Sequence, residues 1–505
     1  MQRAGEPEAA LPGVAPAPVA PAPVGMTLAL DAVTVAIEGG SALLGGMPRR
    51  LLRLSPRGAG LVSEWAAGGS IGSDPAERRF ARRLLDAGLA HPVGFAPGDA
   101  AAVADQVSVV VPTRDRPREV ARLLGSLGGL RVIVADDGSL DGRTCAVASH
   151  FGATYLRSDV ARGPAAARNL GLGAVTTPLV AFVDSDCVPR PGWLDELVAH
   201  FADPCVAACA PRVAPLGDAR AWWARYDRAR SPLDLGTGAA TVRPGSRVSF
   251  VPSAALVVRR SALEDGCFDE RLLAAEDVDL VWRLAEAGWT IRYEPRAEVG
   301  HDQRPGPVAM LRQRSSYGAT AGPLGRRHPT EIAPVAAAPM TLVAGALLAG
   351  RRPWLALGVA AAGTGVAAAR LSRSVPTPLA VRLATEGTTR GALPFLAGCF
   401  RAYGPLLVAG AVASKRLRAP ALVIAVAPAL GAWGASAREL DPARYVLGHV
   451  AEDLAYGIGV WRGALAARTA APLVPRLIRR RRTPGGTQAL KLTTPRMLEP
   501  ASRSS

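Results

Sequence analysis

An α/β fold built on a mostly parallel sheet is predicted by three features of the chain. First, apolar β-branched runs alternate with helical spacing between about residues 107 and 186, the pattern of right-handed βαβ units. Second, runs such as Val107–Val111 and Leu179–Val183 are apolar throughout, as strands covered on both faces are. Third, each run stops at polar or acidic residues: Pro112-Thr113-Arg114-Asp115, Asp136-Asp137-Gly138-Ser139 and Asp184-Ser185-Asp186. The carboxyl ends of parallel strands are where open α/β sheets place ligands. Around this sheet the chain divides into an Ala/Pro tail (1–24), a small α+β module (25–97), the sheet domain (105–328), an apolar helical region (329–482) and a polar tail (483–505).

Taken in order, residues 1–24 repeat Ala, Pro and Val without the basic start and apolar core of a signal peptide, so a disordered, extended tail is expected. Thr27–Ile37 reads as a strand closed by Gly39-Gly40, and Arg50–Leu54 leads to a Pro-Arg-Gly turn and the short apolar piece Leu61-Val62. Phe80, Leu84, Leu85 and Leu89 have helical spacing, with Gly88 placed to end the helix. In the sheet domain a helix carrying Val120, Leu123, Leu124 and Leu127 precedes the strand Arg131–Ala135. A third strand falls near Thr154–Leu156, and Gly163-Pro164 opens a helix holding Arg168 and Asn169.

Composition narrows the partners. The 505 residues suffice for two or three domains, and 59 Lys+Arg against 42 Asp+Glu give a charge of +17. Such a balance suits nucleic acid, an anionic membrane or phosphorylated substrates. The arginines are dispersed, with the densest run at Arg476–Arg482, and neither zinc-finger spacing nor a basic-aromatic RNA motif occurs, which argues against nucleic acid. Six scattered cysteines without a Cys-x-x-Cys pair fit reduced thiols, Cys187 being a small buried residue or a reactive thiol.

Asp184 and Asp186 offer two hard oxygen ligands suited to Mg²⁺ or Mn²⁺ completed by substrate phosphates; the alternative is that one merely caps the following helix. Neither Gly-x-Gly-x-x-Gly nor a Walker-type loop follows the first strand, so a bound diphosphate is expected to rely on a metal. Asp136 and Asp137 could equally form an Asx-turn with Gly138.

Together these strand ends, the Ala167-Arg168-Asn169 helix start, Ser249–Arg260, Gly266–Glu270 and Ala275–Leu284 resemble family-2 glycosyltransferases of the GT-A fold over residues 107 to 320. The resemblance implies that Asp277, beside Glu276, is the base that takes the acceptor proton, with inversion at the anomeric carbon. Asp137 would read the uracil ring, and Pro112 and Arg114 would line base and ribose. Thr113, Asp115, Asp136, Gly138, Arg168, Asn169, Asp184 and Ser185 complete the implied UDP-sugar site. Asp186, Asp184 and His301 would hold the metal, and Arg314 or Arg312 would steady the diphosphate. The family's Gln-x-x-Arg-Trp pattern is not reproduced, since Tyr317 stands where Trp would be.

Two further likenesses narrow the expectation. The segment 25–97 resembles small winged-helix-like domains that hold precursor peptides, a packing appendage being the alternative. With Tyr226–Gly236 and the Ala-rich C-terminal third, the chain resembles the glycosyltransferases of the mycofactocin system, which add glucose units to a peptide-derived redox cofactor. Glucose from UDP-glucose and a peptide-derived acceptor are thereby implied. A polyprenyl phosphate or cell-envelope glycan acceptor, and a non-catalytic binding protein, are the competing readings.

Ile332–Gly350, Trp354–Ala369, Ala402–Ser414 and Ala419–Ala437 carry no charge. They approach the ~20 apolar residues of a membrane span, though rich in Ala and Gly. With Arg351-Arg352, Lys415-Arg416 and Arg479–Arg482 bracketing them, residues 332–437 are expected to associate with the membrane from its cytoplasmic face, by spanning it or lying on it.

Overall fold

The computed structural model describes residues 13–46, 49–95, 100–264, 267–303, 306–436 and 440–477. The N-terminal module comprises β1 (Thr27–Leu30), β2 (Val35–Ile37), β3 (Ala42–Gly45), β4 (Arg50–Arg53), α1 (Pro56–Ala66), α2 (Pro75–Asp86) and β5 (Ala90–Gly94). β2, β3 and β4 form an antiparallel sheet, and β1 pairs with β5. Trp65 and Phe80, stacked 5.7 Å apart, centre its core. Two expectations are corrected here. The single strand over Thr27–Ile37 is broken because Asp31 accepts from the Val33 N–H (2.9 Å) in an Asx-turn. The expected turn after Leu54 is instead the start of α1, because Ser55 caps it by accepting from the Gly58 N–H (3.1 Å) and Pro56 supplies a preset first turn.

The tail is corrected as well, for residues 13–24; its first twelve residues, the Arg479–Arg482 run and residues 483–505 lie outside the described residues. The extended strap donates from Ala17 N to Ala287 O (3.1 Å) and accepts at Ala15 O from Trp289 Nε1 (2.6 Å) and at Ala20 O from Arg82 Nε (3.1 Å). Prolines remove its own donors and favour an extended backbone, so its carbonyls are served by the domains it crosses.

α3 (Ala100–Gln106) leads into the central domain: β6 (Val107–Thr113), α4 (Pro117–Ser126), β7 (Arg131–Asp136), α5 (Arg143–His150), β8 (Thr154–Arg157), α6 (Pro164–Leu172), β9 (Leu179–Val183) and β10 (Cys187–Pro189). It continues through α7 (Trp193–Val198), β11 (Val206–Leu216), α8 (Trp222–Ala229), β12 (Ala240–Val242), β13 (Ala255–Arg259), α9 (Glu276–Glu286) and β14 (Thr290–Asp302). Among the described residues the sheet has nine strands in the order β10-β14-β11-β13-β9-β6-β7-β8, with β12 on β14. The half from β9 to β8 is parallel, and β13 enters antiparallel against β9. That reversal carries the chain from the β9 strand end to the opposite wall of one crevice, the position where such sheets bind ligands. Apolar layers cover both faces, one around Phe182, Leu256 and Ile291, the other around Val109, Leu123 and Trp193.

α10 (Pro307–Ala319), α11 (Ala321–Arg327) and β15 (Ala336–Ala337) link to the apolar helices α12 (Pro339–Ala349), α13 (Pro353–Leu371), α14 (Thr377–Ala413) and α15 (Lys415–Ser436). The chain closes with α16 (Pro442–Ala466) and β16 (Arg476–Leu477). Pro353–Leu371, Thr377–Ala413 and Lys415–Gly434 are long and apolar enough to cross a membrane, and the region is compatible with membrane association. α16 differs: it buries His449, Glu452 and Asp453 and packs along α10.

Two Gly-x-x-x-Gly pairs make that packing close, a spacing that lets helix backbones touch. A Cβ on Gly459 would sit 2.0 Å from Ser315 O, and one on Gly318 would sit 2.0 Å from Tyr456 O. Gly322 and Gly463 repeat the arrangement one turn on. Gly459→Val should therefore lower stability by about 1–3 kcal/mol or more through overpacking. Gly434→Ala, whose Cβ meets no described atom within 4 Å, should be neutral or stabilising; thermal unfolding of the detergent-solubilised protein separates the two.

Candidate active site

A cavity of about 1380 Å³ opens where the ends of β6 and β9 face the start of α9. On the donor side it is lined by Pro112, Thr113, Arg114, Asp137, Ser185 and Asp186. Asp137 is fixed by the N–H groups of Arg162 and Gly163, each 2.8 Å away. The Thr113 hydroxyl is buried without a hydrogen-bond partner among the described residues, a group left for a ligand to satisfy.

Four expected binding residues shape this wall without lining the cavity. Asp136 is fully buried and accepts from Ser139 N (2.8 Å) and the Tyr155 hydroxyl (2.6 Å). Gly138 supplies a left-handed turn (φ +75°). Asp115 faces the surface and accepts from Leu140 N (2.7 Å), and Asn169 ties α6 to Phe268 through paired hydrogen bonds of 2.8 and 3.1 Å. Position separates the two aspartates: both accept two hydrogen bonds, but Asp136 is fully enclosed behind the turn whereas Asp137 borders the cavity. The Asp-Asp-Gly sequence thus divides its work, one aspartate building the turn and the next facing the cavity.

Arg168 joins the two halves of the site. Only 3% exposed, it donates to Asp184 (2.7 Å) and to Glu276 (2.5 Å), with its guanidinium 5.6 Å from the Phe268 ring centroid. Burial raises both carboxyl pKa values; Arg168 opposes this, while Asp186 raises that of Asp184 and Asp277 that of Glu276, which reaches about 6. Beside Glu276, Asp277 faces the cavity half-buried. Its Oδ2 accepts from Ser253 N (3.0 Å) and its Oδ1 from Val278 N (2.8 Å). Both carboxylates open α9, where the helix dipole favours negative charge. The turn before them puts Ala275 at φ +63°, a strained conformation for a side-chain-bearing residue.

Asp186 and His301 meet at the cavity edge, Oδ1 to Nε2 3.4 Å, because β10 pairs with β14 in a register that sets Cys187 against His301. Asp186 Oδ2 accepts from Arg116 (2.5 Å), and Asp184 is turned toward Arg168. Among the described residues no three acidic, His or Cys groups converge as a ready metal site. The Asp186–His301 pair offers one carboxylate oxygen and one imidazole nitrogen at the strand ends, the other Asp186 oxygen being paired with Arg116. Cys187 is no reactive thiol: burial pushes its pKa well up, and its sulfur donates to Ala254 O (3.3 Å).

Arg314 requires a larger correction. It borders the cavity but its guanidinium is engaged elsewhere: 2% exposed, it donates to Asp227 (2.7 Å) and Glu452 (2.9 Å) and locks α10 to α8 and α16. Sequence reading also missed Arg116 and Ser253. Arg116 stood beside the noted Arg114-Asp115, but its partner lies 70 residues away.

A fold with this crevice, its acidic strand ends and its helix-borne carboxylates defines a nucleotide-sugar transferase. Residues 108–267 match the family described as Glycosyl transferase family 2. Over 474 residues the chain is 41% identical to the pre-mycofactocin glycosyltransferase of Mycobacterium tuberculosis, covering 90% of this chain and 98% of that one. The chain belongs to the family-2 glycosyltransferases. Glycosyltransferase AglE of Haloferax volcanii is 26% identical over 39% of this chain and 67% of its own. The crystal structure of S. aureus TarS aligns over 43% of this chain and 39% of its own, with TM-score 0.32 and 20% identity.

Two outcomes are expected from these contacts. As pH falls through about 6 Glu276 gains its proton and releases its half of the Arg168 bridge, so kcat/KM should fall there, and Glu276→Gln should flatten that limb of the pH profile. In stability the sign is opposite: a raised carboxyl pKa favours the folded state more as pH drops from about 6 toward 4.5. Arg314→Met should cost about 3–5 kcal/mol by stranding two buried carboxylates, with UDP affinity of the folded fraction unchanged, as thermal unfolding and calorimetry would report.

Proposed function

We propose that this chain is an inverting glycosyltransferase of the mycofactocin pathway that moves glucose from UDP-glucose onto a peptide-derived precursor, building a short oligoglucose chain at the cytoplasmic face of the membrane. The observation that carries the transfer chemistry is the Asp277 carboxylate beside Glu276, held by Ser253 and open to the cavity opposite the strand ends. The acceptor hydroxyl loses its proton to Asp277 as its oxygen bonds to the anomeric carbon. The bond from that carbon to the diphosphate breaks, and UDP leaves with the electron pair. With one base and no covalent partner, the configuration inverts. Mn²⁺ or Mg²⁺ held by Asp186 and His301, with Asp184 beside them, would supply positive charge toward the leaving diphosphate. Thr113, Arg114 and Asp137 bind the nucleotide.

A membrane acceptor such as polyprenyl phosphate is the second reading, favoured by the apolar helices. Incubation of the purified protein with UDP-glucose, Mn²⁺ and the peptide-derived acceptor, followed by mass spectrometry, tests both. Hexose additions are expected, reduced about 10²–10⁴-fold in Asp277→Asn, with UDP binding retained. UDP release that modifies lipid alone would move the acceptor to the membrane, and unchanged turnover in Asp277→Asn would remove the base.

A further inference from the structure

Three helices are long and apolar enough to cross a membrane, yet their contacts leave no bilayer-deep stretch clear of the folded body. α14 is pinned at two levels. Arg53 on β4 donates to Ser374 O in the turn before it (2.9 Å). Further along, Gly398, Arg401 and Ala402 line the catalytic cavity, Arg401 donates to Asp453 (2.7 Å), and Trp461 Nε1 donates to Ala402 O (2.8 Å). The N-terminal module that carries Arg53 is itself fastened to the central domain, Arg82 donating to Asp203 (2.6 Å). Both levels therefore lie on one side of any membrane, and the helix between them exposes the charged side chains of Arg382 and Arg390. From the cavity onward only Ala402–Ala413 remains, about 18 Å of helix. α15 doubles back along it, Leu417 against Gly410 and Gly431 against Leu393, and Trp433 Nε1 near its end donates to Leu440 O (2.8 Å). The segment leading into α12 packs on the same level of α14: a Cβ on Gly398 would sit 2.9 Å from Pro334 O. The 11 residues of α12 then reach about 16 Å before α13 returns beside them, Gly363 against Met340. Neither hairpin approaches the ~30 Å of a hydrocarbon core.

Charge points the same way. The turn between α12 and α13 carries Arg351 and Arg352, the next carries Arg373, and the last leads into Lys415, Arg416 and Arg418, with no acidic residue beside them. Crossing helices would set such turns alternately inside and outside, against the cytoplasmic bias of basic loops. Exposed apolar side chains flank the same turns, Trp354 at 83% and Val412 at 76%. Basic residues and bare apolar surface together are what a helix lying in the headgroup layer presents.

We infer that α12 to α15 lie on one leaflet without crossing the bilayer, their basic turns among anionic lipid headgroups and their apolar flanks at the acyl boundary. This rests on the transferase reading under Proposed function for the side of the membrane alone, which is the cytoplasmic one.

The test places one cysteine in each turn of the full chain, by Gly350→Cys, Ser374→Cys or Ser414→Cys, with the half-buried Cys145 and Cys399 replaced by Ser and Ala. A membrane-impermeant maleimide is offered to intact cells and to inverted membrane vesicles. All three positions should be labelled in inverted vesicles only. Labelling of Ser374→Cys and Ser414→Cys from opposite sides would show that α14 crosses and overturn the inference. A turn reached from neither side until detergent is added would overturn it as well. Labelling of all three in intact cells only would keep the helices on one surface and overturn the cytoplasmic placement instead. Flotation of the purified chain with vesicles of phosphatidylcholine, alone or mixed with phosphatidylglycerol, reads the lipid chemistry. Binding should be about tenfold or more tighter with phosphatidylglycerol. Lys415→Gln, Arg416→Gln and Arg418→Gln together should remove most of that gain, with UDP affinity by calorimetry unchanged. Equal binding to both vesicles would overturn the anionic preference.

Discussion

One buried guanidinium holds this site together. Arg168 is nearly fully buried at the cavity wall, and its two carboxylate partners come from opposite walls, Asp184 at the end of β9 and Glu276 at the start of α9. Without it, two acidic groups would face each other in a dry crevice, and burial would drive both toward protonation. With it, the donor-side and acceptor-side carboxylates are kept at a fixed spacing and the neighbouring Asp277 is left facing the cavity, half-buried. The geometry around the cavity depends on that one charge being satisfied on both sides.

A second ionic node fixes the catalytic domain to the C-terminal helices. Asp227, Arg314 and Glu452 come from α8, α10 and α16, and the Tyr226 hydroxyl donates to Glu452. Buried ion pairs contribute little net stability but strongly penalise loss of a partner; here they set a register, and the interlocked glycines of α10 and α16 permit it. The result is a C-terminal region that cannot slide relative to the crevice it walls.

The parallel half of the sheet was legible because its strands are apolar on both faces and end in acids; the antiparallel entry of β13, β10 and β12, which makes the sheet mixed rather than mostly parallel, was not. Motif order picked out Asp186, Asp277 and His301, and all three line the one cavity. What stayed hidden depended on long-range partners. Asp136 and Asp137 are adjacent and chemically alike, and only burial tells the turn-former from the cavity residue. Arg314 has the side chain of a phosphate ligand, yet its role is set by Glu452, 138 residues away. The helix α1 was the opposite case: Ser55-Pro56 is a local start signal, overlooked because Gly58 and Gly60 made the stretch read as a turn.

The strap over residues 13–24 bears on how the protein is made. Its carbonyl at Ala15 waits for the indole of Trp289, 274 residues further along the chain. At roughly 5–20 residues per second on the ribosome, the segment emerges early and is served by water for tens of seconds before the indole is made. Synthesis must pass the whole crevice before the chain can be fastened. Residues 13–24 therefore reach their full set of partners only after Trp289 has been made.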